Sequence, residues 1–310
     1  MTGDIVLALL PIIVLISFGY LLRWRRFLED GFWAQAERLS YYVLLPCLFF
    51  HGLATARLDA LPVGELAMTL VLSALAVSAL VVILRPLLKV NGPAFTSLFQ
   101  GSVRFNNYVG VTLASGIFGA TGVAYAAICN AALVPTVNIL CVMVFARHGS
   151  ARLSGLAVLK QLLTNPLLMA SLGGVAFRAL DLGIPPGLDQ AMRALGAASL
   201  PIGLLCVGAA LDFSTVRQWL RPVAISSMMK FLVMPVVTLM IAAVIGLGGP
   251  ALTTALLFQV LPTASSAYIL ARQLGGDAPL MAGIIATQTV LALLMIPLVL
   301  VFLLTFVAVG

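Results

Sequence analysis

"SVRFNNYVGVTLASGIFG", residues 102–119, lies within a run apolar enough to be buried in a bilayer, yet it carries an arginine, two adjacent asparagines and a tyrosine. By insertion scales a charge at the centre of a spanning helix costs about 2.5–3.5 kcal/mol. Arg104 falls near the middle of its run, so it must face protein or water and not lipid. Asn106 and Asn107 are poor helix formers whose amides each offer two donors and an acceptor, and Gly110 and Gly116 add backbone freedom. The stretch predicts a helix that unwinds across 105–110. Free backbone groups are tolerated at membrane depth only where protein or a water-filled cavity meets them.

The rest of the chain sets that depth. Of 310 residues, 62% are hydrophobic and 9% charged, too little polar surface for a soluble domain of this size. The fold class is therefore an all-α polytopic membrane protein. About 20 residues cross the hydrocarbon core. Ten runs are long enough, at roughly 4–23, 34–54, 63–88, 94–118, 121–146, 157–180, 187–211, 221–246, 250–274 and 278–307. The first run ends in "RWRR" with no small-residue cleavage site and reads as a retained helix. The net charge of +7 is a topology signal, not a nucleic-acid footprint. Loops after odd-numbered spans, with the adjoining helix ends, hold twelve Lys and Arg, among them Arg152 and Lys160; the other side holds three, Arg57, Arg178 and Arg193. The odd loops are then cytoplasmic and both termini non-cytoplasmic. Cys47, Cys129, Cys141 and Cys206 all fall in apolar runs and read as packing. No metal site, cofactor or nucleic-acid partner is expected; the expected partners are the bilayer and a small solute.

Shifting the chain by 155 residues, half its length, brings its first part onto itself. Pro11 meets Pro166, Gly19 meets Gly174, Arg23 meets Arg178, Pro46 meets Pro201, and "QAER" at 35–38 meets "QAMR" at 190–193. Ten of the fifty positions from 5 to 54 are identical to their partners. Five spans per copy is an odd number, so the second copy enters from the opposite face. Residues 1–155 and 156–310 thus read as inverted repeats, an arrangement of secondary transporters with midplane sites on interrupted helices. The same shift places Asn107 on Pro262, in "FQVLPTASSAYILARQLGG" (258–276). Proline removes a backbone donor and clashes with the preceding turn, so span 9 should break at 261–263. Half-helix N-termini at two such breaks attract anions. With Arg104 and Lys230, the centre is biased toward a negatively charged solute.

These residues resemble the auxin efflux carrier family in its compact prokaryotic form. The likeness runs over nearly the whole chain, through "ERLSYYVLLPCLFFHGLA" (37–54), "RFNNYVG" (104–110), "GIFG" (116–119), "KFLVMPVV" (230–237) and "LPTASSAYILARQLGGDAPLMAGIIATQTVLALLMIP" (261–297). It implies a fold like that of sodium/proton antiporters and bile-acid symporters. Spans 1, 2, 6 and 7 would be a scaffold, spans 3–5 and 8–10 an elevator-like transport domain, and the scaffold helices a homodimer contact. Asn106 falls where the family has its crossing asparagine, Pro262 where it has its crossing proline, and Asn130 where plant members carry a polar substrate contact. Gly110-Val111-Thr112 stands where the family often has a proline, which implies a milder break in span 4. The long hydrophilic loop of plant carriers is absent. Bacterial relatives are associated with malate, malonate and other small carboxylates, which fit the cationic centre better than auxin-like aromatic acids, the other substrate class the resemblance implies, across the cytoplasmic (inner) membrane.

The candidate substrate-binding residues are Arg104, Asn106, Asn107, Tyr108, Asn130, Lys230, Pro262, Thr263, Ser265, Ser266, Tyr268 and Gln288. Each has a plainer reading beside the functional one. The asparagines can bridge helices. Arg104 and Lys230 can neutralise half-helix carbonyls, and the hydroxyls can bond back to their own turns. Asn138 competes with Asn130 and Gln288 for the same description. All ten acidic residues lie near span ends or in loops, whereas ion-coupled carriers usually keep a carboxylate at depth. Movement of an anion down its electrochemical gradient is the first reading; a sodium- or proton-coupled symporter is the alternative. An integral membrane enzyme is disfavoured, because His51 and His148 fall on opposite sides and no pair of buried carboxylates is available.

Overall fold

The computed structural model describes residues 2–56, 61–149, 165–214 and 216–306. Arg57, Asp59, Arg152 and Lys160, the 157–164 opening of the sixth expected span and residue 307 of the tenth lie outside them. Among the described residues every regular element is helical. In chain order these are α1 (Thr2–Trp24), α2 (Asp30–Leu39), α3 (Leu45–Ala54), α4 (Val63–Ile83), α5 (Arg85–Leu88), α6 (Gly92–Val103) and α7 (Asn107–His148). After the undescribed stretch come α8 (Pro166–Ala179), α9 (Pro186–Ala209), α10 (Leu220–Met228), α11 (Met234–Ile245), α12 (Gly249–Gln259), α13 (Ser266–Leu274) and α14 (Ala278–Phe306). Among the described residues, five stretches are long and apolar enough to cross a bilayer: Val63–Ile83, Gly92–His148, Pro186–Ala209, Leu220–Ile245 and Ala278–Val299.

Several boundaries follow directly from residue chemistry. Asn91 caps α6 by accepting from the Ala94 N–H at 2.9 Å, and Asp277 caps α14 through Leu280 at 2.9 Å. Asn165 does the same for α8 through Leu167 and Leu168. Such caps satisfy N–H groups that have no partner within the helix. At the other end of α9, the Arg23 side chain donates to the Ala209 carbonyl at 2.5 Å, placing a cation on the negative end of the helix.

Prolines are accommodated in two ways. π-turns at Ser40–Leu44 and Met229–Val233 join α2 to α3 and α10 to α11, and each is followed at once by a proline, Pro46 or Pro235. A proline gives no N–H and crowds the carbonyl four residues back; the wider turn takes up that misfit without ending the helix. Pro201, matched to Pro46 by the half-length shift, instead sits inside an uninterrupted α9. Pro11 likewise lies within α1, while its match Pro166 opens α8. Residues paired by the shift thus do different local work.

The 42 residues of α7 are two helices and not one rod. Gly119 has φ 59° and ψ −136°, a conformation left essentially to glycine. Three residues on, a Cβ at Gly122 would lie 1.8 Å from the Ala114 carbonyl oxygen. Positions eight apart in a straight helix stand about 12 Å apart along the axis, so the chain doubles back here. Residues 107–118 and 120–148 form a hairpin, with the turn where spans 4 and 5 were expected to meet.

The chain divides into two compact units. The first comprises Met1–Val63, Asn107–Ala131 and Leu163–Ala210; the second comprises Gly64–Asn106, Ala132–Leu162 and Leu211–Gly310. In the first, α1 and α3 pack on α9, and α3 also packs on α8. Glycines permit the close approaches: a Cβ at Gly208 would meet the Ile16 carbonyl at 1.9 Å, and one at Gly203 would strike the Tyr108 ring at 2.1 Å. In the second, α6 packs on α10, α13 and α14 around Ala94, Val223, Ala267, Leu280, Met281 and Ile284, all buried. Gly122→Val should lose about 1–3 kcal/mol, the range typical of overpacking, read as a lowered melting temperature in detergent. Gly64→Ala, within α4 where a Cβ meets nothing within 4 Å, should not lower that temperature.

Candidate functional site

The polar residues of the second unit gather where two helices stop. Helix α6 ends at Val103, Arg104 is extended (φ −73°, ψ 156°), and helix resumes only at Asn107. The interruption covers 104–106, short of the expected 105–110. Helix α12 ends at Gln259, and the backbone stays non-helical until Ser266 opens α13. That gap, 260–265, contains Pro262 and is wider than the three residues expected. The two interruptions lie together. Phe105 stacks edge-on against Phe258 at 5.9 Å, and Arg104 reaches Ser266 across them.

Broken helices leave unpaired carbonyls and N–H groups, and here Gln288 of α14 gathers several of them. Its Oε1 accepts from the Thr263 backbone N–H at 3.1 Å and from the Thr263 hydroxyl at 2.7 Å. Its Nε2 donates to the Gly101 carbonyl at 2.9 Å and to the Ser226 hydroxyl at 3.2 Å. The Thr263 hydroxyl also lies 3.1 Å from the Gly101 carbonyl. One side chain thus ties the end of α6, the 260–265 gap and α10 together, with all its hydrogen-bonding capacity used. Gly101 makes the approach possible: a Cβ there would sit 2.3 Å from the Ser226 oxygen and 2.6 Å from Ile284. Gln288 and Thr263, both predicted to touch substrate, are occupied in holding the backbone.

Arg104 is placed differently. Its guanidinium donates to Asn138 Oδ1 at 2.9 Å and, at 3.4 Å, to the Ser266 hydroxyl. Its Nε is buried without an acceptor. Among the described residues no carboxylate pairs with it. Lys230, in the π-turn after α10, is fully buried and its Nζ has no partner. Among the described residues, this unit therefore holds two basic side chains with no carboxylate paired to either.

The other predicted residues sort by location. Asn106 is buried in the second unit. Asn107, Tyr108 and Asn130 belong to the first. There Asn130 is buried and donates to Ala126 of its own helix at 2.8 Å, leaving its Oδ1 unpartnered, and Tyr108 packs on Gly203. Pro262 and Ser265 are buried, whereas Tyr268 is 37% exposed. Ser226 was not singled out from the sequence; its signal is the "ISSMMK" run (225–230), two serines in the turn before a buried lysine. Asn138, read as a competitor, is the residue that Arg104 holds.

Apolar helices with broken, polar segments in their interior make this a membrane transport protein. The chain belongs to the family described as "Membrane transport protein", whose pattern matches residues 4–300, the family its motifs resemble. An "Uncharacterized transporter" of Methanothermobacter thermautotrophicus is 24% identical over 292 residues, covering 93% of this chain and 95% of the relative. A "Putative malonate transporter" of Rhizobium meliloti is 24% identical over 251 residues, covering 76% and 75%. Gln288→Leu should leave the Thr263 N–H unpaired, at about 1–3 kcal/mol, and the Gly101 carbonyl with the Thr263 hydroxyl alone. Thermal denaturation in detergent should show a clear drop, larger than for Thr289→Val, whose hydroxyl serves only its own helix.

Proposed function

We propose that the chain is a secondary carrier of small carboxylates, malonate or malate among them, across the cytoplasmic membrane. The observation that carries the reading is Arg104, a guanidinium held at a helix interruption by Asn138 and Ser266, with a buried Nε and no carboxylate beside it. An unpaired cation in a low-dielectric interior is costly unless a counter-ion comes, and an anionic solute is that counter-ion. Arg104 would take a carboxylate oxygen, with Asn106 and the first N–H groups of α13 as donors beside it. Ser265, Pro262 and Tyr268 complete the candidate set of this unit; Asn107, Tyr108 and Asn130 are candidates of the first unit by themselves.

The finer architecture belongs to the same reading: ten spans as two inverted five-helix repeats, both termini non-cytoplasmic, a homodimer, and the substrate-carrying helices moving as an elevator. Support comes from the half-length repeat, the Lys and Arg distribution, the two interruptions and the name of the Rhizobium relative. An anion leaving a negative cytoplasm gains about 2.3 kcal/mol per charge per 100 mV, enough to drive efflux. Arg104→Ala and Asn106→Ala should each lower malonate flux in proteoliposomes at least tenfold while the protein still elutes as a folded species. Undiminished flux in both variants refutes the site; flux that needs sodium at clamped voltage selects a sodium-coupled symporter instead.

A further inference from the structure

Lys230 poses a problem that the carrier reading does not solve. It is fully buried, and its amine meets no hydrogen-bond acceptor. The π-turn that bears it packs against α6, α10 and α11, and α10 packs in turn on α6 and α14. Helices α6, α11 and α14 carry no titratable residue, and α10 carries only Arg221. The residue that directly follows α6 in the chain is Arg104, also basic. Elsewhere a buried ammonium is matched by a carboxylate; here no acid is on any of these elements.

The position of the amine gives the problem a function. Ser226, one turn before Lys230, touches Gly101 and accepts from Gln288, at the end of α6. Four residues further along the chain, Lys230 stands in the π-turn that follows α10, and this turn packs on α6. Its flexible four-carbon stem carries a compact point charge, well suited to meeting a single carboxylate. Neutral, the amine is an unfilled acceptor and donor in a dry interior. Protonated, it requires an anion, because an unpaired ammonium there is far costlier than a neutral amine. The proton and the anion therefore favour one another's arrival.

We propose that Lys230 couples transport to protons: the empty site holds the neutral amine, and each carboxylate that binds brings one proton onto it. The amine lone pair takes the proton, the ammonium so formed pairs with the carboxylate, and both leave together on the other side. No bond to carbon changes. For a dicarboxylate the charge moved per turnover falls from two to one, so voltage still drives efflux but less steeply. This inference rests on the carrier reading and gives it the coupling ion that the absence of a buried acid seemed to deny.

The proton count is directly measurable. The purified full-length protein is titrated with malonate by calorimetry in two buffers of different ionisation enthalpy at about pH 7.5, where both malonate carboxyls are ionised. The wild type should take up about one proton per malonate bound. Lys230→Met, which keeps the stem and loses the amine, should bind at least tenfold more weakly and take up none; Lys230→Gln serves if the first variant does not fold. Malonate binding with no proton uptake by the wild type overturns the inference and leaves the carrier reading intact. So does equal uptake by a lysine variant. Absence of any malonate binding by the folded wild type overturns the substrate reading and this inference with it.

Discussion

The Gly101 carbonyl at the end of α6 sets the terms for the second unit. Backbone groups freed by an interrupted helix have no water to turn to in an apolar interior and must be paired by the protein. Gln288 answers this with one amide, donating to Gly101 and Ser226 and accepting twice from Thr263. Glycine at 101 is what lets α6 come close enough to α10 and α14 for that amide to reach. With the broken ends fixed in this way, the remaining polar groups need not serve the backbone. Arg104 is the consequence: a cation held in place with its Nε left unpartnered.

That division between holding and binding separates residues that look alike in the sequence. Thr263, Ser266 and Gln288 are all polar residues in apolar runs, near a proline or facing one. Thr263 and Gln288 are consumed by each other and by Gly101, whereas Ser266 meets Arg104 through a long 3.4 Å contact. Asn130 spends one donor on its own helix and keeps its oxygen. A buried amide with no lone pair spare serves the architecture; one with an unmet atom calls for an explanation of its own.

The two π-turns show a parallel economy in the helices themselves. Both precede a proline, and both keep a long helix running through a residue that ordinarily ends or kinks one. At Met229–Val233 the widened turn also carries Lys230, so the same distortion that accommodates Pro235 bears the buried amine in a turn that packs on α6. The hairpin at Gly119 is the opposite solution, a sharp reversal that only glycine permits, sealed by the contact of Gly122 with Ala114.

The sequence by itself determined the class, the helical elements and the location of the breaks to within a few residues. Those properties are local or additive: hydropathy summed over a run, a proline without an N–H, an arginine too costly to face lipid. It also picked out Arg104, because an isolated charge in an apolar run needs no tertiary information to be noticed. Only the tertiary structure decided which polar residues pair with which. Asn138 lies thirty-four residues from Arg104 and Gln288 lies twenty-five from Thr263, and no periodicity links such positions. Hydrogen-bond satisfaction depends on three-dimensional approach at the scale of a few ångströms, set by Gly101, the π-turns and the packing of α6 against α10 and α14.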